Sequence, residues 1–149
     1  MDINMTNNDY YEFETTNHNL KGLVVISHGM AEHIGRYSWL IEKLNADGYS
    51  VIAKDHRGHG KNILKGMTPG FFSHKNGWTK VSDDLRNTIN FAIAKHPNID
   101  CFLLGHSMGS WIALSLLDRK LNINGLVITG SSKLSGFLIY TQLMLVKFE

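Results

Sequence analysis

A chain of 149 residues with net charge +2, 43% hydrophobic and 19% charged residues has room for one domain with a real core and the balance of an ordinary globular protein. Its basic residues are scattered, which excludes a nucleic-acid-binding stripe, so no nucleic-acid partner is expected. The single cysteine, Cys101, excludes an internal disulfide and reads as buried packing.

Residues 1–9 are polar, lack the apolar run of a secretory signal and read as a disordered tail, so the cytoplasmic compartment is expected. Tyr10 to Glu14 alternates weakly as a strand would, with Asn17-His18-Asn19 as a turn. Leu23-Val24-Val25-Ile26-Ser27 is a strand rich in β-branched residues. It runs into His28-Gly29-Met30-Ala31-Glu32-His33 and then a helix at about 34–47, whose Ile34, Tyr37, Leu40, Ile41 and Leu44 share one face. Gly48 ends that helix as its C′ residue. A strand over 49–54 leads to Asp55-His56-Arg57-Gly58-His59-Gly60, and 58–77 reads as a loop carrying Phe71-Phe72. Lys61 and Lys65, near His56-Arg57, read as a solvated loop rather than a binding patch.

Thr79 or Ser82 starts the next helix, which puts Asp83 and Asp84 in its first turn, where carboxylates favour the helix dipole. Val81, Leu85, Ile89, Ala92 and Ile93 form its buried stripe, and Pro97 stops it. A strand over 100–105, a helical pattern from Ser110 to Lys120 and a strand over 123–129 follow. Alternating strands and helices define the α/β class, a parallel sheet with flanking helices. Ligands in such sheets bind at the carboxyl ends of the strands, at the switch point. The last strand would leave an unpaired edge. Leu134 to Val146 is apolar but interrupted by Ser135, Gly136, Thr141 and Gln142. It falls short of the ~20 apolar residues a bilayer span needs, so no transmembrane segment is expected.

Gly105-His106-Ser107-Met108-Gly109, between a predicted strand and a predicted helix, is a nucleophile elbow. The flanking glycines permit a turn sharp enough to expose the Ser107 hydroxyl, a reading preferred over a plain helix N-cap. Acyl transfer also needs N–H donors for the developing oxyanion, worth ~3–4 kcal/mol each. The residue after the nucleophile, Met108, gives one, and the loop holding Met30 gives the other. Their side chains are expected on the pocket floor. His28 and His106 read as structural, bonded to backbone; Glu32 and His33 as solvated or loop-bracing; Asp55 as a loop anchor through N–H bonds; Arg36 as a surface ion pair. His56 and His59 are too loosely spaced for zinc, and no metal or cofactor is expected.

HGMAEHIGRY, DHRGHG and GHSMG, in that order, resemble the α/β-hydrolase branch of monoacylglycerol lipases, lysophospholipases and serine aminopeptidase-like hydrolases. The likeness runs from about Lys21 to Ser132. It implies Ser107 as nucleophile, Met30 and Met108 as oxyanion donors, and a small lipid-like ester of the acylglycerol or lysophospholipid type as substrate, with peripheral membrane contact. The family's amino-terminal hairpin looks abbreviated here. In this fold the triad acid and His follow the Ser, yet only 42 residues follow Ser107, the sole acid before the terminus is Asp118, and no His follows His106. Family members are about twice as long. The chain thus resembles the amino-terminal half of a hydrolase, a truncated α/β-hydrolase fold lacking the carboxyl-terminal strands. Residues 10–149 would be an incomplete domain, with 133–149 as the start of the cap or, equally, ordinary core. Alone it is expected to be nearly inactive, with ~10³–10⁴-fold catalysis over water surviving. A non-catalytic remnant or binding module, or half of a split enzyme completed by a carboxyl-terminal partner, are the alternatives.

Overall fold

The computed structural model describes residues 10–132 in full and the backbone of 4–5. The stretch 133–149, expected to begin the cap, lies outside the described residues.

Among the described residues six strands form one sheet: β1 (Asn4–Met5), β2 (Tyr11–Phe13), β3 (Gly22–Ser27), β4 (Tyr49–Ala53), β5 (Cys101–His106) and β6 (Gly125–Thr129). Their order is β1-β2-β4-β3-β5-β6. The β1–β2 and β2–β4 pairs are antiparallel, whereas β4, β3, β5 and β6 run parallel. Helices α1 (Ser38–Ala46), α2 (Lys61–Leu64), α3 (Gly77–Lys95) and α4 (Met108–Leu114) fill the connections.

Strand β3 is buried along its whole length because both faces are covered, which explains its unbroken apolar run. Leu23 and Val25 point into a cluster with Val81, Leu85 and Ile89 of α3 and Ile112 of α4. Val24 and Ile26 point the other way, onto Ile41 of α1 with Val51, Ala53 and Ile34. Successive residues of a strand face opposite sides, so one apolar strand feeds both halves of the core. Cys101 opens β5, and burial pushes its thiol up to about 11.

The sheet and helices stand largely where the sequence puts them, with five differences. Residues 4 and 5 pair with Glu12 and Tyr11, so the polar tail expected to be disordered includes a strand, and the amino-terminal hairpin is short. The helix at 34–47 opens with a 3₁₀ turn over Ile34–Tyr37 before α1. The loop 58–77 contains α2, a single turn. Helix α3 starts at Gly77, because Asn76 adopts the left-handed conformation (φ 54°, ψ 39°) and breaks the chain there. Asp83 and Asp84 therefore lie about two turns in and serve arginines instead of the dipole: Asp83 accepts from Arg119 at 2.8 Å and Asp84 from Arg57. Finally, the pattern from Ser110 to Lys120 splits into α4, which starts at Met108, and a 3₁₀ turn over Leu117–Arg119. At the break the Ser115 hydroxyl donates to the carbonyl of Ile112, three residues back, which tightens the turn.

Gly48 does close α1 as C′. Its φ is 95°, and its N–H donates to the Asn45 carbonyl.

Candidate active site

The sheet changes direction between β3 and β5. From β3 the chain crosses to β4 on one side, and from β5 to β6 on the other. Ser27 stands in register with Gly105, so the loops leaving both strands emerge together at the carboxyl edge, where this architecture binds ligands.

Ser107 occupies the joint between β5 and α4 with φ 50° and ψ −119°. That conformation is uncommon for a residue with a side chain and costs about 1–3 kcal/mol. Its surroundings hold it there. The Ser107 N–H donates to Thr129 O at 2.9 Å, and the Ser107 carbonyl accepts from both the N–H (2.9 Å) and the hydroxyl (2.6 Å) of Ser110. The neighbouring glycines are required by close approach. A Cβ on Gly109 would fall inside the Ser27 and His28 carbonyls, and one on Gly105 would lie 2.8 Å from the Gly109 carbonyl. Although Ser107 sits at the N-cap position of α4, its hydroxyl makes no capping bond. Among the described residues no histidine nitrogen bonds to that hydroxyl.

The loop after β3 reaches the same point. A Cβ on Gly29 would lie 3.2 Å from the Ser107 Cβ. Met30, the next residue, is 63% exposed and borders a cleft of about 500 Å³ shared with Glu32, His59 and Ile63. Met108 departs from expectation. Its side chain is buried in the core rather than on a pocket floor, because the first turn of α4 faces the sheet.

Three polar groups brace these loops. Glu32 accepts from the Gly29 N–H and the Tyr37 hydroxyl, each at 2.5 Å. Burial by itself would raise the Glu32 carboxyl, but those two donors outweigh it and hold the group below its ordinary value. Burial, reinforced by Glu32, pushes the Tyr37 phenol above its usual range. His28, wholly buried, has Nδ1 2.8 Å from the Gly29 carbonyl, and its Nε2 accepts the His56 N–H at 2.9 Å. His56 in turn has Nε2 3.1 Å from the Ser27 hydroxyl. Burial drives both imidazoles below their usual titration range, His56 farther.

Asp55 gathers the Ile34 N–H (2.9 Å), the Lys61 N–H (2.9 Å) and the Tyr11 hydroxyl (2.5 Å), the anchoring role read from the sequence. Arg36 stays on the surface, 3.9 Å from Glu32. Among the described residues the His106 ring makes no backbone bond of the kind expected. Its half-buried ring meets Tyr37 edge-on, with centroids 6.5 Å apart. His33 is exposed and borders the cleft.

The sequence reading missed Tyr11, Tyr37 and Arg57 as parts of this framework. By periodicity Tyr37 belongs to an apolar stripe, and its distance of five residues from Glu32 matches no helical face. Arg57 grips Asp84 through two bonds of 2.6 and 3.0 Å across 27 residues, and nothing local in the sequence signals that pair.

A sheet of this order, with a strained serine at a strand–helix joint, defines an α/β-hydrolase. The family model described as "Serine aminopeptidase, S33" matches residues 18–136, and the chain belongs to that family, in its monoglyceride-lipase-like branch. It is 35% identical over 105 residues to a monoacylglycerol lipase of Mycolicibacterium smegmatis, covering 70% of this chain and 35% of the relative. To the monoglyceride lipase of Homo sapiens it is 36% identical over 109 residues, 72% of this chain and 34% of that one. A thermostable carboxyl esterase from Bacillus coagulans, solved with glycerol, superposes with TM-score 0.77 at 28% identity, covering 92% of this chain and 43% of the esterase. The matched segment thus spans about a third of the length of these curated relatives.

Proposed function

We propose that this chain carries the nucleophile-bearing part of a serine ester hydrolase acting on small lipid-like esters of the acylglycerol or lysophospholipid type. Ser107 is the nucleophile at an elbow. Its Oγ attacks the ester carbonyl, and the N–H groups of Met30 and Met108 hold the oxyanion. The tetrahedral intermediate collapses with loss of the alcohol, and water then releases the acid from the acylated Ser107. The observation that carries the reading is the positive φ of Ser107, whose hydroxyl is spent on no cap, beside a Gly29 loop within van der Waals reach. The names of the monoglyceride lipase relatives and the glycerol complex of the esterase support the substrate class.

The proton acceptor is not supplied by this sequence in the expected place, since no His follows His106. Turnover then needs a His and an acid from a carboxyl-terminal half, whether in a longer chain or in a separate partner. The alternative reading is a binding module that keeps the pocket without catalysis. Assaying the purified chain with a short-chain p-nitrophenyl ester and a fluorophosphonate probe tests both. The expected outcome is near-background turnover, with any labelling abolished by Ser107→Ala. Ser107-dependent hydrolysis at ordinary enzyme rates would refute the need for a missing half, and labelling that persists in Ser107→Ala would refute Ser107 as nucleophile.

A further inference from the structure

Three imidazoles are packed together beside the loop that carries Met30. His28, His56 and His59 are all buried. The His28 ring lies 4.3 Å from the His56 ring and 5.5 Å from the His59 ring, centroid to centroid. Its Nε2 faces two partners of opposite kind. The His56 N–H donates to it at 2.9 Å, and Asp55 Oδ1 stands 3.8 Å away. A neutral ring can serve the first and not the second. A protonated ring carries hydrogen on both nitrogens, so it can serve the second and not the first.

The other side of the ring holds the reactive loop. With Nε2 accepting, Nδ1–H donates to the Gly29 carbonyl at 2.8 Å. That carbonyl and the Met30 N–H belong to one planar peptide and point in opposite directions, so a bond to one fixes the aim of the other. The Gly29 N–H is held separately by Glu32. Closing the gap from Nε2 to Asp55 down to a charged hydrogen bond moves the ring by about 1 Å. The Gly29 carbonyl then follows the ring or parts from it, and in either case the Met30 N–H is re-aimed.

We propose that His28 is a proton-operated switch on the Gly29–Met30 peptide, with the His56 N–H and the Asp55 carboxylate as its alternative partners. The only bond formed is Nε2–H, with the proton taken from hydronium, and no covalent bond of the chain breaks. Burial opposes the charged ring most strongly, so the switch works below 6.5. The Gly29 carbonyl, Asp55 and Glu32 favour the charge, whereas His59 and His56 oppose it. The switch takes its purpose from the reading of Met30 N–H as an oxyanion donor, since a displacement of that size disarms such a donor. Its test does not depend on hydrolysis.

Heteronuclear NMR of the full chain from about pH 7.5 to about pH 5 reads both ends of the switch. The His28 ring nitrogens report the proton, and the Met30 amide reports the peptide. At the upper end His28 should carry hydrogen on Nδ1 alone. As pH falls, Nε2 protonation and the shift of the Met30 amide should share one midpoint below 6.5. The amides of Val25 and Leu103, in the central strands, should hold still and so show that the chain stays folded. Asp55→Asn should move the midpoint to lower pH, because the receiving carboxylate is gone. His28→Asn sets an amide N–H where Nδ1 stands and removes the titrating group, so its Met30 amide should be flat across the range. Ser107→Ala should titrate like the parent, so a failed nucleophile assignment leaves this result standing. A proton on Nε2 at neutral pH, a Met30 amide indifferent to His28 protonation, or a His28 that stays neutral until the whole chain unfolds would each overturn the proposal. The titration of the parent decides these three even where a variant does not fold.

Discussion

At the residue scale, His28 has a single hydrogen-bonding pattern open to it. Nδ1–H donates to the Gly29 carbonyl, and Nε2 must accept from the His56 N–H. A proton on Nε2 would set two donors face to face in a site with no water exposure, and His56 lies beside it with ring centroids 4.3 Å apart. Both histidines titrate below 6.5 in the fold, chiefly through burial, with Asp55 and Gly29 opposing the shift at His28 and the other imidazoles adding to it. The folded state thus binds fewer protons than the unfolded chain near that pH. The stability tied to these neutral rings is complete above about 6.5 and lost as pH falls below it. Thermal melts from about pH 7.5 to about pH 5 should show a falling melting temperature, and His56→Gln should flatten the slope. Glu32 acts in a separate, lower window: its carboxyl is depressed below 4.5, so its contribution is kept above that value and lost only as pH drops further. The glycine at 109 gives a second check. Gly109→Ala places a methyl against the Ser27 and His28 carbonyls, and the strain should destabilise the chain by about 3 kcal/mol or more in urea unfolding.

At the scale of elements, the loop after β4 depends on one buried carboxylate. Asp55→Ala removes the acceptor shared by the N–H groups of Ile34 and Lys61 and the Tyr11 hydroxyl. A loss of about 3 kcal/mol is expected, read from chemical denaturation, with Asn recovering part of it. Arg57 ties the same loop to α3 through Asp84, but both side chains are partly exposed. Solvent screens such a pair, so Arg57→Ala should cost only about 1 kcal/mol. If the two substitutions proved equal, the loop would be held by the arginine clamp as much as by Asp55.

Over the whole molecule, the strands of the sheet are unequally covered. Strands β3 and β4 are covered on both sides, whereas β6 has no second neighbour among the described residues, and its Val127 and Ile128 are 54% and 43% exposed. An edge unpaired among the described residues, with apolar side chains, invites pairing with another chain. The protein should self-associate with rising concentration in light scattering, and Val127→Lys should reduce this; a monomer at all concentrations would show that the edge is already covered. Among the described residues no helix is long and apolar enough to cross a membrane.

What the sequence determined by itself were the features written in short-range pattern. The β-branched run of β3, the helical stripe from Val81 to Ala92 and the Gly48 stop each follow from local periodicity or backbone conformation. So does the strand–turn–helix setting of Ser107, because the glycines at 105 and 109 lie within two residues of it. Only the tertiary structure decided which distant groups hold that setting. Asp55 with Tyr11, Arg57 with Asp84, and His28 with His56 are each joined across 27 to 44 residues. It also decided where α3 begins and that Met108 faces the core while Met30 stands exposed. The cause is that hydrogen bonds and burial are satisfied by whatever the fold brings near, and spacing along the chain carries no record of those neighbours.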